Sequence, residues 1–328
     1  MKDRFGRNIE YMRVSVTDRC NLRCVYCMPE EGVPCVSHSD ILTYDEIRRI
    51  CRIGSELGIT KIKLTGGEPL VRRGLPELVG MLKSTPGIEQ VTLTTNGILL
   101  KEKINELVSK GLDSVNISID TLDPDRYREI TRGGNLQDVL DGVESALAYS
   151  SLKVKVNCVP EREMPSETYI QLALLAKDRK IDVRFIEMMP IGLGKDFSGV
   201  GGDEIYSMLK RRFGDAGKWV GQYGNGPAIY IHFPGFHGKI GFISAVTHQF
   251  CSSCNRIRLT SEGYLKACLQ YEAGADLRKL LRTGAEDERI RQEMSRIIYE
   301  KPSCHHFADP SVYEEKKFET KDMSQIGG

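Results

Sequence analysis

The first half of the chain alternates short β-branched runs with longer segments that have helical periodicity. Strands are predicted near residues 12–17, 61–65, 91–95, 114–119, 154–159 and 183–188, with helices near 44–57, 76–84, 101–110, 135–149 and 166–179. This alternation is typical of βα units that form a parallel sheet. Six units are fewer than the eight of a closed barrel, so the pattern predicts an open, partial barrel whose gap needs a cover.

The pattern changes after Pro190. Residues 191–202 contain five glycines and are predicted to form a linker or flap. A helix near 203–213, strands near 228–233 and 239–246, and a helix near 287–299 follow. The charged tail from Tyr313 to Gln325 is expected to be flexible up to Ile326-Gly327-Gly328. We expect two domains, a barrel over residues 1–195 and an α+β extension over residues 196–328 that covers the open side.

Composition narrows the class of protein. Hydrophobic residues make up 40% and charged residues 28% of the chain, as in ordinary soluble proteins. The net charge of +1 predicts no nucleic-acid or membrane partner, so an anionic ligand would need a local basic pocket. No apolar run reaches membrane-spanning length, and residues 1–8 are polar without a secretory pattern. Together with ten cysteines, this favours a cytoplasmic protein with reduced thiols.

Six of the cysteines form two close triplets. The first triplet is Cys20, Cys24 and Cys27, and the second is Cys251, Cys254 and Cys268. Three thiolates without an obvious fourth suggest a [4Fe–4S] cluster with one iron open to an outside ligand, because the ordinary cluster has four cysteine ligands. A structural zinc is the alternative, with Cys35 or His38 completing the first site. His248 is the candidate protein ligand that would close the second site.

Polar loops follow the predicted strands at the end where parallel βα proteins carry their chemistry. The second strand ends in Gly66-Gly67-Glu68-Pro69. The glycines would let a ligand approach the main chain, and the carboxylate could accept hydrogen bonds from an amine. A simple turn is the other interpretation of this segment.

Basic residues alternate with apolar residues along the strands. They are Arg13, Lys61, Lys63, Lys153, Lys155 and Arg184, joined by Arg256 and Arg258 within the second cysteine segment. Unpaired charge is costly in a sheet that is covered on both faces, so several of these side chains should face an anion. Arginine suits phosphate or carboxylate groups. Exposure at strand ends, or pairing with acidic residues, would account for only one or two of them.

The motifs resemble a known family when they are taken together. Cys-x₃-Cys-x₂-Cys with Tyr26 before the third cysteine resembles the signature of radical S-adenosylmethionine enzymes, and Gly-Gly-Glu-Pro resembles their site for the methionine amino group. Segments 15–20, 65–69, 93–97, 184–187 and 250–259 and the terminal Gly327-Gly328 resemble the GTP 3′,8-cyclase family, which begins molybdenum cofactor (molybdopterin) biosynthesis. The resemblance runs from Arg4 to Gly328. It implies an α/β fold with a partial (β/α)₆ barrel of the radical S-adenosylmethionine type.

The resemblance also implies roles for individual residues. The first triplet would hold a [4Fe–4S] cluster that chelates S-adenosylmethionine, and the second triplet a [4Fe–4S] cluster that contacts guanine. Contacts with S-adenosylmethionine are implied for Tyr26, Gly67, Glu68, Ser118 and Met189. Contacts with GTP are implied for Arg13, Lys63, Thr94, Lys155, Arg184, Arg256, Ile257 and Arg258. The first triplet, Arg256 and Arg258 are the implied catalytic residues, and the terminal glycines would reach into the active site.

The implied enzyme is a lyase that converts GTP to (8S)-3′,8-cyclo-7,8-dihydroguanosine 5′-triphosphate. A 5′-deoxyadenosyl radical would abstract the C3′ hydrogen, and C3′ would then close on guanine C8. The implied partners are a reductant such as flavodoxin, cyclic pyranopterin monophosphate synthase as the next enzyme, and a second copy in a homodimer.

Two alternatives stay open at this point. They are a peptide-modifying radical enzyme with an auxiliary cluster and a zinc-stabilised binding module. Two features also depart from the family pattern. Lys63 stands where relatives often have arginine, and no function is assigned to Cys304-His305-His306.

Overall fold

The computed structural model describes residues 1–219, 224–308 and 318–327. The strands are β1 (Tyr11–Ser15), β2 (Lys61–Thr65), β3 (Gln90–Thr95), β4 (Ser114–Ser118), β5 (Lys153–Cys158), β6 (Ile181–Ile186), β7 (Gly217–Lys218), β8 (Ile229–His232), β9 (Ile240–Ile243), β10 (Arg256–Leu259), β11 (Tyr264–Lys266) and β12 (Gly274–Asp276). The helices are α1 (Tyr44–Glu56), α2 (Leu75–Lys83), α3 (Leu100–Ser109), α4 (Pro124–Thr131), α5 (Leu136–Leu147), α6 (Ser166–Asp178), α7 (Gly202–Phe213), α8 (Leu277–Arg282) and α9 (Asp287–Tyr299).

The predicted βα units of the first half are confirmed as β1 to β6 with their helices. A capping box starts α1: the Glu46 backbone N–H donates to Thr43 Oγ1 at 3.1 Å, and the Thr43 backbone N–H donates to Glu46 Oε2 at 2.7 Å. The pattern missed α4, although its start carries ordinary signals. Asp123 accepts from the backbone N–H groups of Asp125 and Arg126, and Pro124 occupies the first turn.

The described strands form one sheet in the order β12-β11-β10-β1-β2-β3-β4-β5-β6-β9-β8-β7. Strands β1 to β6 pair in parallel with their neighbours, and β10 and β9 extend this parallel series beyond β1 and β6. Because this order does not return to its start, the barrel is open, as predicted. The C-terminal part therefore supplies a strand at each edge of the barrel, with antiparallel strands outside them.

The two faces of each barrel strand have different surroundings. In β1, Met12 and Val14 are fully buried in the main hydrophobic core, whereas Tyr11 and Arg13 line an internal cavity. Successive side chains of a strand point to opposite faces, so one face packs on helices while the other is free for polar residues. The basic residues that alternate with apolar ones in the sequence fall on the cavity face.

The charged tail is only partly as predicted. Residues 313–317 lie outside the described residues. From Phe318 onward the expectation of flexibility is wrong, because Lys266 and Glu319 form a buried ion pair and Phe318 stacks on Tyr271 with ring centroids 5.5 Å apart. Ile326 is also buried.

Across the described ranges, every helix falls short of the length and apolarity that a membrane span requires.

Candidate active site

The two cysteine triplets line one cavity of about 680 Å³ inside the barrel. All the predicted site residues except Ile257 line it: the six cysteines, Tyr26, Gly67, Glu68, Ser118, Met189, Arg13, Lys63, Thr94, Lys155, Arg184, Arg256 and Arg258. Ile257 is fully buried in the hydrophobic core, because it points away from the cavity between Arg256 and Arg258 on β10. A contact between its side chain and a bound substrate is therefore not supported.

The first cysteine loop follows β1 and folds into a tight turn. The backbone N–H groups of Cys27 and Met28 both donate to the Cys24 carbonyl, at 2.9 and 3.1 Å. Within this turn, the Val25 N–H donates to the Ile130 carbonyl at 2.9 Å, which connects the loop to α4. Burial raises the pKa of Cys20 and Cys24, and raises that of Cys27 to about 12. Burial therefore favours neutral thiols here, and a bound metal centre would have to offset the cost of charging them.

The Gly66-Gly67-Glu68-Pro69 segment packs against the chain just before the first triplet. The Gly67 N–H donates to the Thr17 carbonyl at 2.8 Å, and the Glu68 N–H donates to the Arg19 carbonyl at 2.8 Å. A Cβ at Gly67 would lie 2.4 Å from the Arg19 carbonyl oxygen. Glycine is therefore required here for contact between two loops, and this contact helps to position the cysteine loop.

The Glu68 side chain joins two strand-end loops. Its carboxylate accepts hydrogen bonds from the Leu70 N–H at 2.9 Å, Thr95 Oγ1 at 2.7 Å and the Asn96 N–H at 2.6 Å. Burial raises the pKa of Glu68 to about 7, although these hydrogen bonds oppose the shift. Because most of its acceptor capacity is already used, a direct contact with a cofactor amine stays a prediction.

Tyr26 links the cysteine loop to the end of β4. Its hydroxyl donates to Asp120 Oδ2 at 2.6 Å, while Asp120 Oδ1 accepts from the Val159 N–H at 2.8 Å. Burial raises the pKa of both Tyr26 and Asp120. The aromatic residue of the motif thus fixes the loop through a buried hydrogen bond.

A row of cations crosses three neighbouring strands on the cavity face. Arg13 lies in register with Arg258 on one side and with Lys63 on the other. Neighbouring strands are only about 4.8 Å apart, so the three positive groups project side by side. Burial is the largest cause that lowers the pKa of each group, and the nearby cations lower that of Lys63 further.

The facing wall adds two more basic residues. Arg184 donates through Nε and Nη2 to Asn157 Oδ1 at 2.9 and 2.6 Å, and through Nη2 to Asn116 Oδ1 at 2.7 Å. Burial and the Arg184 charge lower the pKa of Lys155 to about 8, although Asp182 at 3.7 Å opposes the shift. The two asparagines were not singled out from the sequence. Asn157 follows Lys155 by two positions on β5, and Asn116 on β4 lies in register with Lys155.

Two basic residues outside the recognised motifs, Arg7 and Lys301, hold the second triplet. Lys301 donates from Nζ to the carbonyl oxygens of Arg256, at 2.8 Å, and Ala267. Arg7 donates to the Cys251 carbonyl at 2.8 Å and to the Pro302 carbonyl at 2.6 Å. The two Arg7 contacts connect segments 244 and 295 residues apart in sequence, and local patterns carry no signal for such contacts.

Charge around the second triplet favours a thiolate. Burial raises the pKa of Cys254, but Lys301 and Arg256 more than offset this effect and bring the value to about 6. Burial raises the pKa of Cys251. A thiolate that is already charged near neutral pH is suited to bind a soft metal centre.

Among the described residues, no group of three histidine, cysteine or acidic side chains is placed to hold one metal ion. A cluster does not need that geometry, because each thiolate binds a different iron. The residues proposed to complete a zinc site also lie elsewhere: Cys35 is exposed, His38 lines a separate small cavity, and His248 contacts Asp203 at 2.7 Å.

The C-terminal tail enters the same cavity region. The Arg258 guanidinium donates to the Gly327 carbonyl at 2.8 Å. A Cβ at Gly327 would lie 2.9 Å from the Ser15 Cβ and 3.4 Å from Thr65 Cγ2, at the ends of β1 and β2. Gly328, the other half of the predicted glycine pair, lies outside the described residues.

Comparison with known proteins gives two family matches. Residues 14–160 match the Radical SAM superfamily, and residues 181–307 match Molybdenum Cofactor Synthesis C. Two curated relatives are named GTP 3′,8-cyclase. This chain is 46% identical to the one from Clostridium perfringens (strain 13 / Type A) and 44% identical to the one from Heliobacterium modesticaldum. In both cases the similarity covers 100% of this chain and 100% of the relative.

Solved structures share the fold. Streptococcus suis SuiB bound to S-adenosylmethionine aligns with a TM-score of 0.60 and 14% identity, over 85% of this chain and 66% of that one. SuiB bound to its precursor peptide SuiA aligns with a TM-score of 0.61 and 14% identity, over 91% of this chain and 66% of that one. At this identity the likeness shows the fold alone. By its full-length similarity to curated relatives, the chain belongs to the GTP 3′,8-cyclase family of radical S-adenosylmethionine enzymes.

Proposed function

We propose that this chain converts GTP to (8S)-3′,8-cyclo-7,8-dihydroguanosine 5′-triphosphate, the first step of molybdenum cofactor biosynthesis. The observation that supports this most strongly is the row Arg258–Arg13–Lys63, which lines the same cavity as both cysteine triplets. Like charges directly opposite on neighbouring strands repel each other, and burial makes each of them more costly. An anion in the cavity would offset both costs, and the triphosphate of GTP is such an anion.

The cavity residues also favour a single orientation of the bound GTP. Arg184 is held by Asn116 and Asn157, so its guanidinium faces the cavity with little freedom to turn. Lys155 lies beside it on the same wall. Fixed cations around the triphosphate would hold the ribose and base in one place, and such positioning lowers the entropy cost of a reaction.

Two [4Fe–4S] clusters are part of the proposal, one on each cysteine triplet. The thiols of the first triplet are buried and would lose their protons when a cluster binds, whereas Cys254 of the second triplet already favours the thiolate. Held by Cys20, Cys24 and Cys27, the first cluster would supply the electron that cleaves S-adenosylmethionine to methionine and a 5′-deoxyadenosyl radical, which would take the C3′ hydrogen of GTP. Closure of C3′ on guanine C8 would leave a radical on the base, and one further electron from the reductant and one proton would complete the product. Around S-adenosylmethionine, we propose contacts with Tyr26, Gly67, Glu68, Ser118 and Met189. The protein's own contribution is to orient the substrate and to keep water out.

The direct test uses anaerobic protein with dithionite, S-adenosylmethionine and GTP deuterated at C3′. We expect a cyclised guanosine triphosphate and 5′-deoxyadenosine that carries the deuterium. Cys24→Ala should abolish both products, whereas Cys35→Ala at an exposed thiol should not change them. Cleavage of S-adenosylmethionine with intact GTP would contradict the proposal and favour a peptide-modifying enzyme.

Finer features belong to the same proposal. A low-potential reductant such as flavodoxin would supply electrons, and cyclic pyranopterin monophosphate synthase would use the product. A homodimer, a location in the cytoplasm and a domain boundary near residue 195 stay predictions. Size-exclusion chromatography with light scattering would test the homodimer.

A further inference from the structure

Lys301 is a buried lysine beside the second cysteine triplet. The residue is only 3% exposed and lines the cavity. Its Nζ donates to the Arg256 carbonyl at 2.8 Å and to the Ala267 carbonyl at 2.5 Å. Ala267 directly precedes Cys268. Arg256 follows Cys254 by two positions. One ammonium group therefore joins the two segments that carry these cysteines.

The charge of Lys301 has no carboxylate partner among the described residues. Neutral carbonyl groups accept both of its hydrogen bonds, and no acidic side chain of residues 1–219, 224–308 or 318–327 forms an ion pair with it. Arg7, the other basic residue that holds the second triplet, pairs with buried Asp3 at 2.6 Å. An ammonium buried without a counter-charge is costly. A further anionic group is therefore expected beside Lys301.

A cluster on the second triplet would be such an anion. An oxidised [4Fe–4S] core with three thiolate ligands carries a net negative charge, and reduction adds one electron to it. Lys301 already acts on one of these ligands. Burial raises the pKa of Cys254, but the charges of Lys301 and Arg256 lower it to about 6.

The charges beside the first triplet have the opposite sign. Burial is the largest cause that raises the pKa of Cys20 and of Cys24, and the nearby Glu68 and Asp120 add to these increases. In a buried site, a nearby cation favours the addition of an electron, whereas a nearby anion opposes it. The surroundings of the two triplets therefore favour different reduction potentials.

We propose that Lys301 is the fixed counter-charge of the second [4Fe–4S] cluster and raises its midpoint reduction potential. Because two main-chain carbonyl groups hold the ammonium, its charge stays in place whether or not a substrate occupies the cavity. Lys301 thus acts through the cluster and is a positioning residue. This inference rests on the proposed function, since it needs a cluster on the second triplet.

The test is a redox titration of the full-length, cluster-loaded protein under anaerobic conditions, followed by electron paramagnetic resonance. The signal that is missing from Cys268→Ala identifies the second cluster. Lys301→Gln removes the charge but keeps an N–H donor for the carbonyl groups, whereas Lys301→Arg keeps both. Lys101→Gln is the control for net charge, because Lys101 lies at the surface in an ion pair with Asp141. Iron content is measured for each preparation.

We expect Lys301→Gln to lower the equilibrium constant for one-electron reduction of the second cluster roughly tenfold, a shift of about 59 mV. The potential of the first cluster should not change. Lys301→Arg and Lys101→Gln should keep the wild-type potentials. Loss of half the iron in Lys301→Gln, with full iron in Lys301→Arg, would also support the inference, because the cluster would then depend on the charge for binding.

Three outcomes would overturn the inference. They are an unchanged potential in iron-replete Lys301→Gln, an equal decrease in Lys301→Gln and Lys301→Arg, and loss of iron in both variants. Wild-type protein that holds two clusters and cyclises GTP alongside any of these results would leave the proposed function standing. Wild-type protein with a single cluster would overturn this inference together with the second cluster of the proposed function.

Discussion

The Arg258 guanidinium donates a 2.8 Å hydrogen bond to the carbonyl oxygen of Gly327, so a cavity cation holds the C-terminal tail. Gly327 has a φ of 74°, which side chains other than glycine rarely adopt. The bond therefore connects the chain end to the row of cations on β10, β1 and β2. A change in the tail should therefore alter the affinity for GTP at the place where its phosphates are proposed to bind.

Gly327→Val tests this connection. The new side chain would collide with Ser15 and would need an unfavourable φ, so the tail should leave the cavity. We expect GTP affinity to fall roughly tenfold while iron content is unchanged. Gly284→Val is the matched control, because Gly284 also has a positive φ but no atom lies within 4 Å of its Cβ position. Wild-type GTP affinity in Gly327→Val would contradict the role of the tail.

Tyr26→Phe tests the link between the cysteine loop and β4. The change removes the 2.6 Å hydrogen bond to Asp120 and leaves a buried carboxylate oxygen without its donor. We expect the free energy of unfolding to fall by about 1–3 kcal/mol, measured by urea denaturation. Tyr149→Phe, which loses a 3.2 Å bond to Asn105 at the surface, should cost much less. Equal losses in the two variants would refute a special role for Tyr26.

Lys155 predicts a pH dependence of substrate binding. Burial, with Arg184, lowers its pKa to about 8, so the ammonium is charged below this pH and neutral above it. The affinity for GTP should therefore fall as pH rises through about 8. In Lys155→Arg the guanidinium stays charged, so this step should disappear from titration calorimetry between neutral and alkaline pH. The same pH profile in both proteins would show that another group controls it.

The cysteine assignments predict different outcomes for two neighbouring thiols. Cys268→Ala should lose the second cluster, so iron content should fall by about half while cleavage of S-adenosylmethionine continues. Cys304 lines the same cavity but lies outside the triplets. Cys304→Ala should therefore keep its iron and its cyclisation activity. Iron loss in Cys304→Ala would mean that a fourth cysteine closes the second site.

Much of the barrel and its cavity could be predicted because the signals are local. The alternation of side chains in Lys61–Thr65 and Lys153–Cys158 predicts that the basic residues share one face of the sheet. Because the loops follow the carboxyl ends of parallel strands, they are predicted to lie at one rim of the barrel. The same alternation predicts that Ile257 points away from its arginine neighbours, but the family resemblance included it among the GTP contacts. In the structure Ile257 points into the hydrophobic core, as the alternation of side chains along the strand predicts.

Features that depend on distant contacts could not be predicted. Arg7 and Lys301 hold the second triplet through carbonyl groups of other segments, and neither belongs to a motif. Glu68 also accepts hydrogen bonds from Thr95, the last residue of β3, and from Asn96 in the loop after it, and no local pattern indicates these donors. Likewise, the charge of the tail predicts flexibility. Its partner Lys266 lies 53 residues before Glu319, so no local pattern indicates the ion pair.

Mössbauer spectra of anaerobic protein, with and without GTP and S-adenosylmethionine, test the central claim most directly. We expect iron and sulfide for two [4Fe–4S] clusters, with one iron site altered by S-adenosylmethionine and a different one altered by GTP. A single cluster, or two clusters whose spectra do not respond to GTP, would contradict the claim that both triplets leave an iron open to the shared cavity.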